Sequence, residues 1–142
     1  MSAHTDHLPA FTSPSPSTTS MQRAFFGDVI GCEQGRSAET WIDWNLRGHQ
    51  FVTHLSATRP ATAHNPVDGH DVPVPHFGLI LEVDDFHALA DRLRAAGTTF
   101  VIEPYLRFAG QPGEQWTMFL LDPAGNAMEF KAFADDSQVF AV

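Results

Sequence analysis

The chain has 142 residues, which suits one domain or two very small ones, and its 43% hydrophobic and 18% charged residues give a globular balance. Seventeen acids against eight bases leave a net charge of −9. That disfavours a nucleic-acid partner, which needs clustered Lys and Arg, and equally an anionic membrane surface. Cys32 is the only cysteine, so no disulfide can close within the chain. No apolar run approaches a membrane span, and Met1–Ser20 lacks the apolar stretch of a signal peptide, so a cytoplasmic protein is expected.

A first short strand is expected in HLPAF, from His7. Residues 12–19 (TSPSPSTT) then form a low-complexity break. Ser17 or Thr18 is the expected cap of a helix whose apolar positions, Met21, Phe25, Phe26, Val29 and Ile30, recur at helical spacing; Gly31 ends it. Thr40 to Leu46 reads as a strand, Arg47-Gly48 as a tight turn and His49 to Leu55 as the hairpin partner. Residues 57–74, broken by prolines and without periodicity, read as a linker or long exposed loop. His76 to Val83 is apolar and β-like. Asp84 or Asp85 is the expected cap of an amphipathic helix burying Phe86, Leu89, Ala90, Leu93 and Ala96, and Gly97 ends it. A strand starts at Phe100, and Pro104 makes it short or an edge. Ala109 to Glu114 is a loop, Trp116 to Leu121 a strand, Asp122 to Asn126 a turn and Ala127 to Phe133 the returning strand.

The two halves read alike. The closing hairpins WIDWNLRGHQFVTHL and WTMFLLDPAGNAMEFKAF both open on tryptophan and both turn on glycine with a polar neighbour. The pattern predicts an α+β protein of two βαβββ modules, residues 1–58 and 75–134, joined by a linker at 59–74 and followed by a tail at 135–142.

Three residues on this frame carry chemistry. His7 and His76 stand 69 positions apart (76 − 7), one repeat length, in the first strands of the two modules. Glu129 lies in the last strand, between Met128 and Phe130, which alternation turns to the opposite face. A carboxylate inside a sheet is costly unless paired or metal-bound. Two imidazoles and a carboxylate with open positions are the set expected for non-haem Fe(II); Zn, Mn or Ni also suit it.

The segments RAFFGDVIGC, PHFGLIL, LRAAG and above all FLLDPAGNAMEFKAF resemble the vicinal-oxygen-chelate superfamily of glyoxalase I, extradiol dioxygenases and bleomycin and fosfomycin resistance proteins. The resemblance implies paired modules curled into a cup-shaped, mostly antiparallel sheet with helices outside. It also implies a divalent metal in the cup chelating vicinal substrate oxygens, ligands at His7, His76 and Glu129, and a homodimer. His4 is the alternative to His7. The fourth carboxylate ligand of glyoxalase I has no match in QFVTHL, where His54 is the nearest metal-competent residue; a three-ligand site points to dioxygenase-like chemistry ahead of a glyoxalase-type lyase or isomerase.

Around the expected cup, Arg107 is a clamp for a carboxylate or phosphate. His54 and Glu114 are acid–base candidates. His49, Tyr105, Gln111, Trp116 and Phe119 are candidate substrate contacts, with Trp116 and Phe119 suited to stacking on a ring. The bland alternatives are a paired buried carboxylate at Glu129, a satisfied core histidine at His76, and surface positions for His4, His64, His70 and His87. Cys32 is read as a small buried hydrophobe. The competing function is a metal-free, drug-sequestering protein; a structural member with neither metal nor ligand is the third reading.

Overall fold

The computed structural model describes residues 8–12, 20–58 and 61–141. Its contacts divide the chain into two compact units: Met1–Ala61 with Asp122–Asn126, and Thr62–Leu121 with Ala127–Val142. The fold is α+β, built of two βαβββ modules.

In the first unit, strand β1 (Leu8–Thr12) precedes helix α1 (Arg23–Ile30), and β2 (Glu33–Ala38), β3 (Trp41–Leu46) and β4 (His49–Leu55) follow. The sheet order is β1-β4-β3-β2, with β1 parallel to β4 and the other pairs antiparallel. The expected helix winds as a π-helix and stops at Gly31, whose φ of 86° puts it in the left-handed region. The expected caps Ser17 and Thr18 lie outside the described residues. Helix α1 buries Phe25, Phe26 and Ile30. Phe26 meets Phe25 and Phe51 at 5.0 Å and Trp44 at 5.6 Å, ring pairs that contribute roughly 0.5–1.5 kcal/mol each beyond their buried area. Trp44 Nε1 donates to Thr53 Oγ1 at 3.1 Å, so the buried indole N–H is satisfied. Strand β2, exposed throughout, was not foreseen.

The turn Asp122–Asn126 also belongs to this unit. Buried Asp122 accepts the backbone N–H groups of Ala124 and Asn126, the Asn126 side chain at 2.8 Å and Gln22 Nε2 at 3.3 Å. Burial pushes its carboxyl above the ordinary range, against the pull of these hydrogen bonds.

The second unit begins where a loop was expected. Strands β5 (Ala63–Val67) and β6 (His70–Val74) form a hairpin of their own, turning on Asp68 and Gly69, both at positive φ. That is the two-residue turn an Asp-Gly pair favours. Pro66 and Pro73, which argued against strands, are tolerated because a two-stranded ribbon leaves one edge of each strand unpaired.

Then come β7 (His76–Ile80), α2 (Val83–Ala95), β8 (Phe100–Arg107), β9 (Gln115–Leu121) and β10 (Ala127–Phe133). The order β7-β10-β9-β8 repeats the first module's, again with one parallel pair, β7 on β10. Glu82, not Asp84 or Asp85, is the N-cap residue of α2, and it makes no side-chain cap. The two aspartates sit in the first turn and Arg92 and Arg94 in the last, where each favours the helix dipole. Helix α2 buries Phe86, Leu89, Ala90 and Leu93 and packs on β10. Met128, Phe130 and Ala132 of β10 are fully buried, while Glu129, Lys131 and Phe133 alternate to the other face, half-buried. Strand β8 is an edge, as Pro104 predicts, but runs on to Arg107 past two register shifts. Among the described residues no helix is long and apolar enough to cross a membrane.

Candidate metal centre

The second unit carries a cavity of about 180 Å³ between the β5–β6 hairpin and the sheet. Val67, His70 and Val72 line it from the hairpin, His76 from β7, and Ile102, Tyr105 and Arg107 from β8. Strand β9 contributes Thr117 and Phe119, and β10 contributes Glu129 and Lys131. Alternation explains the selection: Thr117 and Phe119, like Glu129 and Lys131, are two residues apart and share a face.

His76 Nε2 lies 3.3 Å from Glu129 Oε2. The other ring nitrogen, Nδ1, is 2.8 Å from the Pro73 carbonyl oxygen. A carbonyl only accepts, so Nδ1 carries a proton and Nε2 is the nitrogen turned toward the carboxylate. An imidazole nitrogen and a carboxylate oxygen therefore converge, a pair of donor types that a divalent cation takes. Ligands about 2.1 Å from one ion and at right angles stand about 3.0 Å apart, so the observed spacing fits a metal. The carbonyl behind Nδ1 is the support that metal-bound histidines ordinarily have. The ring edge of His76 rests on Phe119 at 5.0 Å.

Glu129's second oxygen is held separately. Thr117 Oγ1 donates to Oε1 at 3.0 Å, and Lys131 Nζ lies 3.4 Å from it. Lys131 is the only lysine in the chain. Opposite, Tyr105 stacks at a tilt on His70, 4.9 Å between ring centres, and packs against the apolar cluster of Val72, Ile102 and Phe119. Burial raises the Tyr105 phenol above its ordinary value; the Arg107 guanidinium opposes this, and Asp68 and Glu129 add to it. Tyr105 is thus an O–H donor at neutral pH. Arg107 pairs with Asp68 of the hairpin turn.

Of the residues singled out from the sequence, His76, Glu129, Tyr105, Arg107 and Phe119 come together here. Trp116 does not: it faces the helix side and packs on His87 at 4.7 Å and Phe86 at 6.3 Å. Glu114 and Gln111 lie in the loop before β9, where Glu114 Oε2 accepts the Gly110 N–H at 2.6 Å and Gln111's carbonyl accepts the Glu114 N–H at 3.1 Å. Both close that loop and line no part of the cavity. His49 and His54 are on β4 of the first unit, opposite Leu46 and Trp41. His7 and His4 lie outside the described residues. Among the described residues no three His, Cys, Asp or Glu side chains cluster as a metal set. Thr117 and Lys131 also line the cavity, where period-two alternation from Phe119 and Glu129 places them. His70 and His87, expected on the surface, each pack on an aromatic ring.

The sequence pattern of the glyoxalase/bleomycin resistance protein/dioxygenase superfamily matches residues 11–130. The chain belongs to this superfamily. A superfamily protein from Alicyclobacillus acidocaldarius is 26% identical, with 96% of each chain covered and a TM-score of 0.74. The fosfomycin resistance protein FosX from Listeria monocytogenes shares the fold at 12% identity, covering 97% of this chain and 98% of its own, with a TM-score of 0.69. A FosX mutant complexed with Mn(II) and 1S,2S-dihydroxypropylphosphonic acid aligns at 13% identity over 97% of both chains, TM-score 0.68. No curated protein matches the chain. The superfamily and its neighbours thus include metal-binding proteins on the vicinal-oxygen-chelate fold.

Proposed function

We propose that this superfamily member is a metal-dependent enzyme acting on a small oxygen-rich molecule, with His76 and Glu129 as two of the ligands. The observation that carries the proposal is the convergence of an imidazole nitrogen, His76 Nε2, and a carboxylate oxygen, Glu129 Oε2, at 3.3 Å. For the third ligand the sequence offers His7, with His4 as its alternative. Such a set favours Fe(II), with Zn, Mn and Ni also accommodated. With Fe(II) the reaction class is dioxygenase-like, on a catechol or a related molecule; with the other ions it is a lyase or isomerase reaction of glyoxalase type. When bound, the ion supplies Lewis acidity and a template for two adjacent oxygens.

The chain's own groups prepare that chemistry. Pro73 fixes the His76 tautomer. Thr117 and Lys131 hold one oxygen of Glu129 and leave the other turned to His76. Val72, Ile102 and Phe119 make one wall dry. Tyr105 keeps its proton and donates a hydrogen bond to a substrate oxygen. Glu114, tied into its loop, has no acid–base part in this scheme; on β4 of the first unit His54 remains an acid–base candidate and His49 a candidate substrate contact. A homodimer belongs to the proposal, and light scattering on the eluting protein tests it.

One observation favours a metal-free binding role instead: Lys131 already supplies a positive charge 3.4 Å from Glu129. Metal analysis decides. Untagged protein, purified anaerobically, should carry a near-stoichiometric divalent metal by mass spectrometry, and Glu129→Ala and His7→Ala should lose it. Iron would direct screening to oxygen uptake with catechols, and zinc, nickel or manganese to lyase and isomerase assays. Wild-type protein that neither carries nor takes up metal refutes the enzyme reading.

A further inference from the structure

The cavity wall facing Glu129 holds a charge arrangement that the chelate reading leaves unused. Arg107 closes strand β8 with only 17% of its side chain exposed, and its Nε has no hydrogen-bond partner among the described residues. Its guanidinium carbon lies over the Phe108 ring, 4.8 Å from the centroid, a cation–π contact. Among the described residues the carboxylate it pairs with is Asp68, from the tip of the β5–β6 hairpin, 48% exposed.

The pair is unequal. Arg107 is largely buried and lines the cavity together with Tyr105 and Lys131. Asp68 sits on a two-residue turn at a φ of 50°, on a ribbon paired only with itself. A buried guanidinium needs an anion, and its geometry suits a two-oxygen partner. An exposed turn carboxylate is a weak and replaceable one. The protein's net charge of −9 makes small anions unwelcome elsewhere, yet this cavity gathers two of the eight Lys and Arg residues.

We propose that Arg107 is the carboxylate-recognising residue of this cavity, that Asp68 occupies it in the free protein, and that the substrate is an oxygen-rich compound bearing a carboxylate that displaces Asp68. The proposal rests on the chelate reading for the substrate's other oxygens. Binding exchanges one carboxylate for another on the same guanidinium and releases the tip of the hairpin. Asp68 is then a specificity element: it excludes neutral compounds from the guanidinium and yields to anionic ones.

The probes are 3,4-dihydroxybenzoate and catechol, which share vicinal oxygens and differ by a carboxylate. They are titrated by calorimetry into wild type, Asp68→Asn and Arg107→Gln, with metal content measured on each sample. Wild type should prefer 3,4-dihydroxybenzoate. Asp68→Asn should bind it several-fold tighter with catechol unchanged. Arg107→Gln should lose at least about 10-fold on 3,4-dihydroxybenzoate alone, removing the preference. Arg107→Lys, which keeps the charge without the fork, should retain part of the preference and guards against a folding defect in Arg107→Gln. Equal affinities for the two probes in wild type, no gain in Asp68→Asn, or no detectable binding of 3,4-dihydroxybenzoate by that variant overturns the proposal. Full metal without carboxylate discrimination sinks the Arg107 assignment alone. Absent metal with discrimination intact sinks the chelate reading alone.

Discussion

Replacing Gly78 with alanine should unseat Glu129. Gly78 on β7 pairs with Glu129 on β10. A Cβ at position 78 would lie 1.5 Å from the Glu129 carbonyl oxygen, 2.6 Å from its carbonyl carbon and 3.1 Å from its nitrogen. Non-bonded heavy atoms rest about 3.5 Å apart or more, so the two strands must separate by roughly 2 Å. All three atoms are backbone, and no rotamer change relieves the contact. Overpacking of this kind costs about 1–3 kcal/mol. Taking about 2 kcal/mol, a chain of this size should melt about 6 °C lower. On the proposed metal reading the larger effect falls on Glu129, since a metal site tolerates only about 0.5 Å of misplacement. Metal affinity, measured by competition with a chromogenic chelator, should fall at least about 10-fold. Gly27→Ala is the control, because nothing lies within 4 Å of the added carbon; it should bind metal as wild type does and melt no lower. Gly78→Ala with wild-type metal affinity and melting temperature would refute the reasoning.

Three further outcomes follow from the same geometry. Thr117→Val keeps the shape of a fully buried side chain but removes the hydrogen bond to Glu129; chelator competition should show metal affinity about 10-fold lower, with stability down only about 1 kcal/mol. Trp116→Ala removes packing on Phe86 and His87 behind the sheet, so urea unfolding should show a loss of about 2–3 kcal/mol while affinity for metal and catechol is unchanged. Burial pushes the Cys32 thiol up to about 12; raising a thiol's pKa removes the reactive thiolate at ordinary pH, so alkylation by iodoacetamide at pH 8 should be roughly 10³-fold slower than for a free thiol and recover in denaturant.

Legibility followed the strength of the local pattern. Strands β3, β4 and β10 fall where their apolar alternation put them, and the exposed side chains of β2, from Glu33 to Ala38, gave no pattern to read. The hairpin at residues 63–74 carried a turn signal in Asp68-Gly69, but Pro66 and Pro73 outweighed it. An apolar stripe also cannot distinguish π from α winding over a helix as short as Arg23–Ile30. At the site, Glu129 was legible because fully buried Met128 and Phe130 flank it. The same rule separates Trp116 from Phe119: three residues apart on one strand, they point to opposite faces, and grouping them in one cavity overlooked this. The Arg107 to Asp68 pair spans 39 positions, and no local pattern encodes it.

The modules share a strand order but not their chemistry. In the second, the face away from α2 presents Glu129 and Lys131 on the last strand, opposite Phe119 and Thr117. In the first, Trp44 and Phe51 turn toward α1, so the other face of β4 carries Gln50, Val52 and His54. No carboxylate stands on β4. The acid on its neighbour, Asp43, is 7% exposed and lies 3.5 Å from Arg36. The second sheet's acid faces a histidine, His76, across 3.3 Å, while the first sheet's acid pairs with an arginine. Duplication supplies two similar sheets, and a few side chains on alternate positions decide which of them becomes a site.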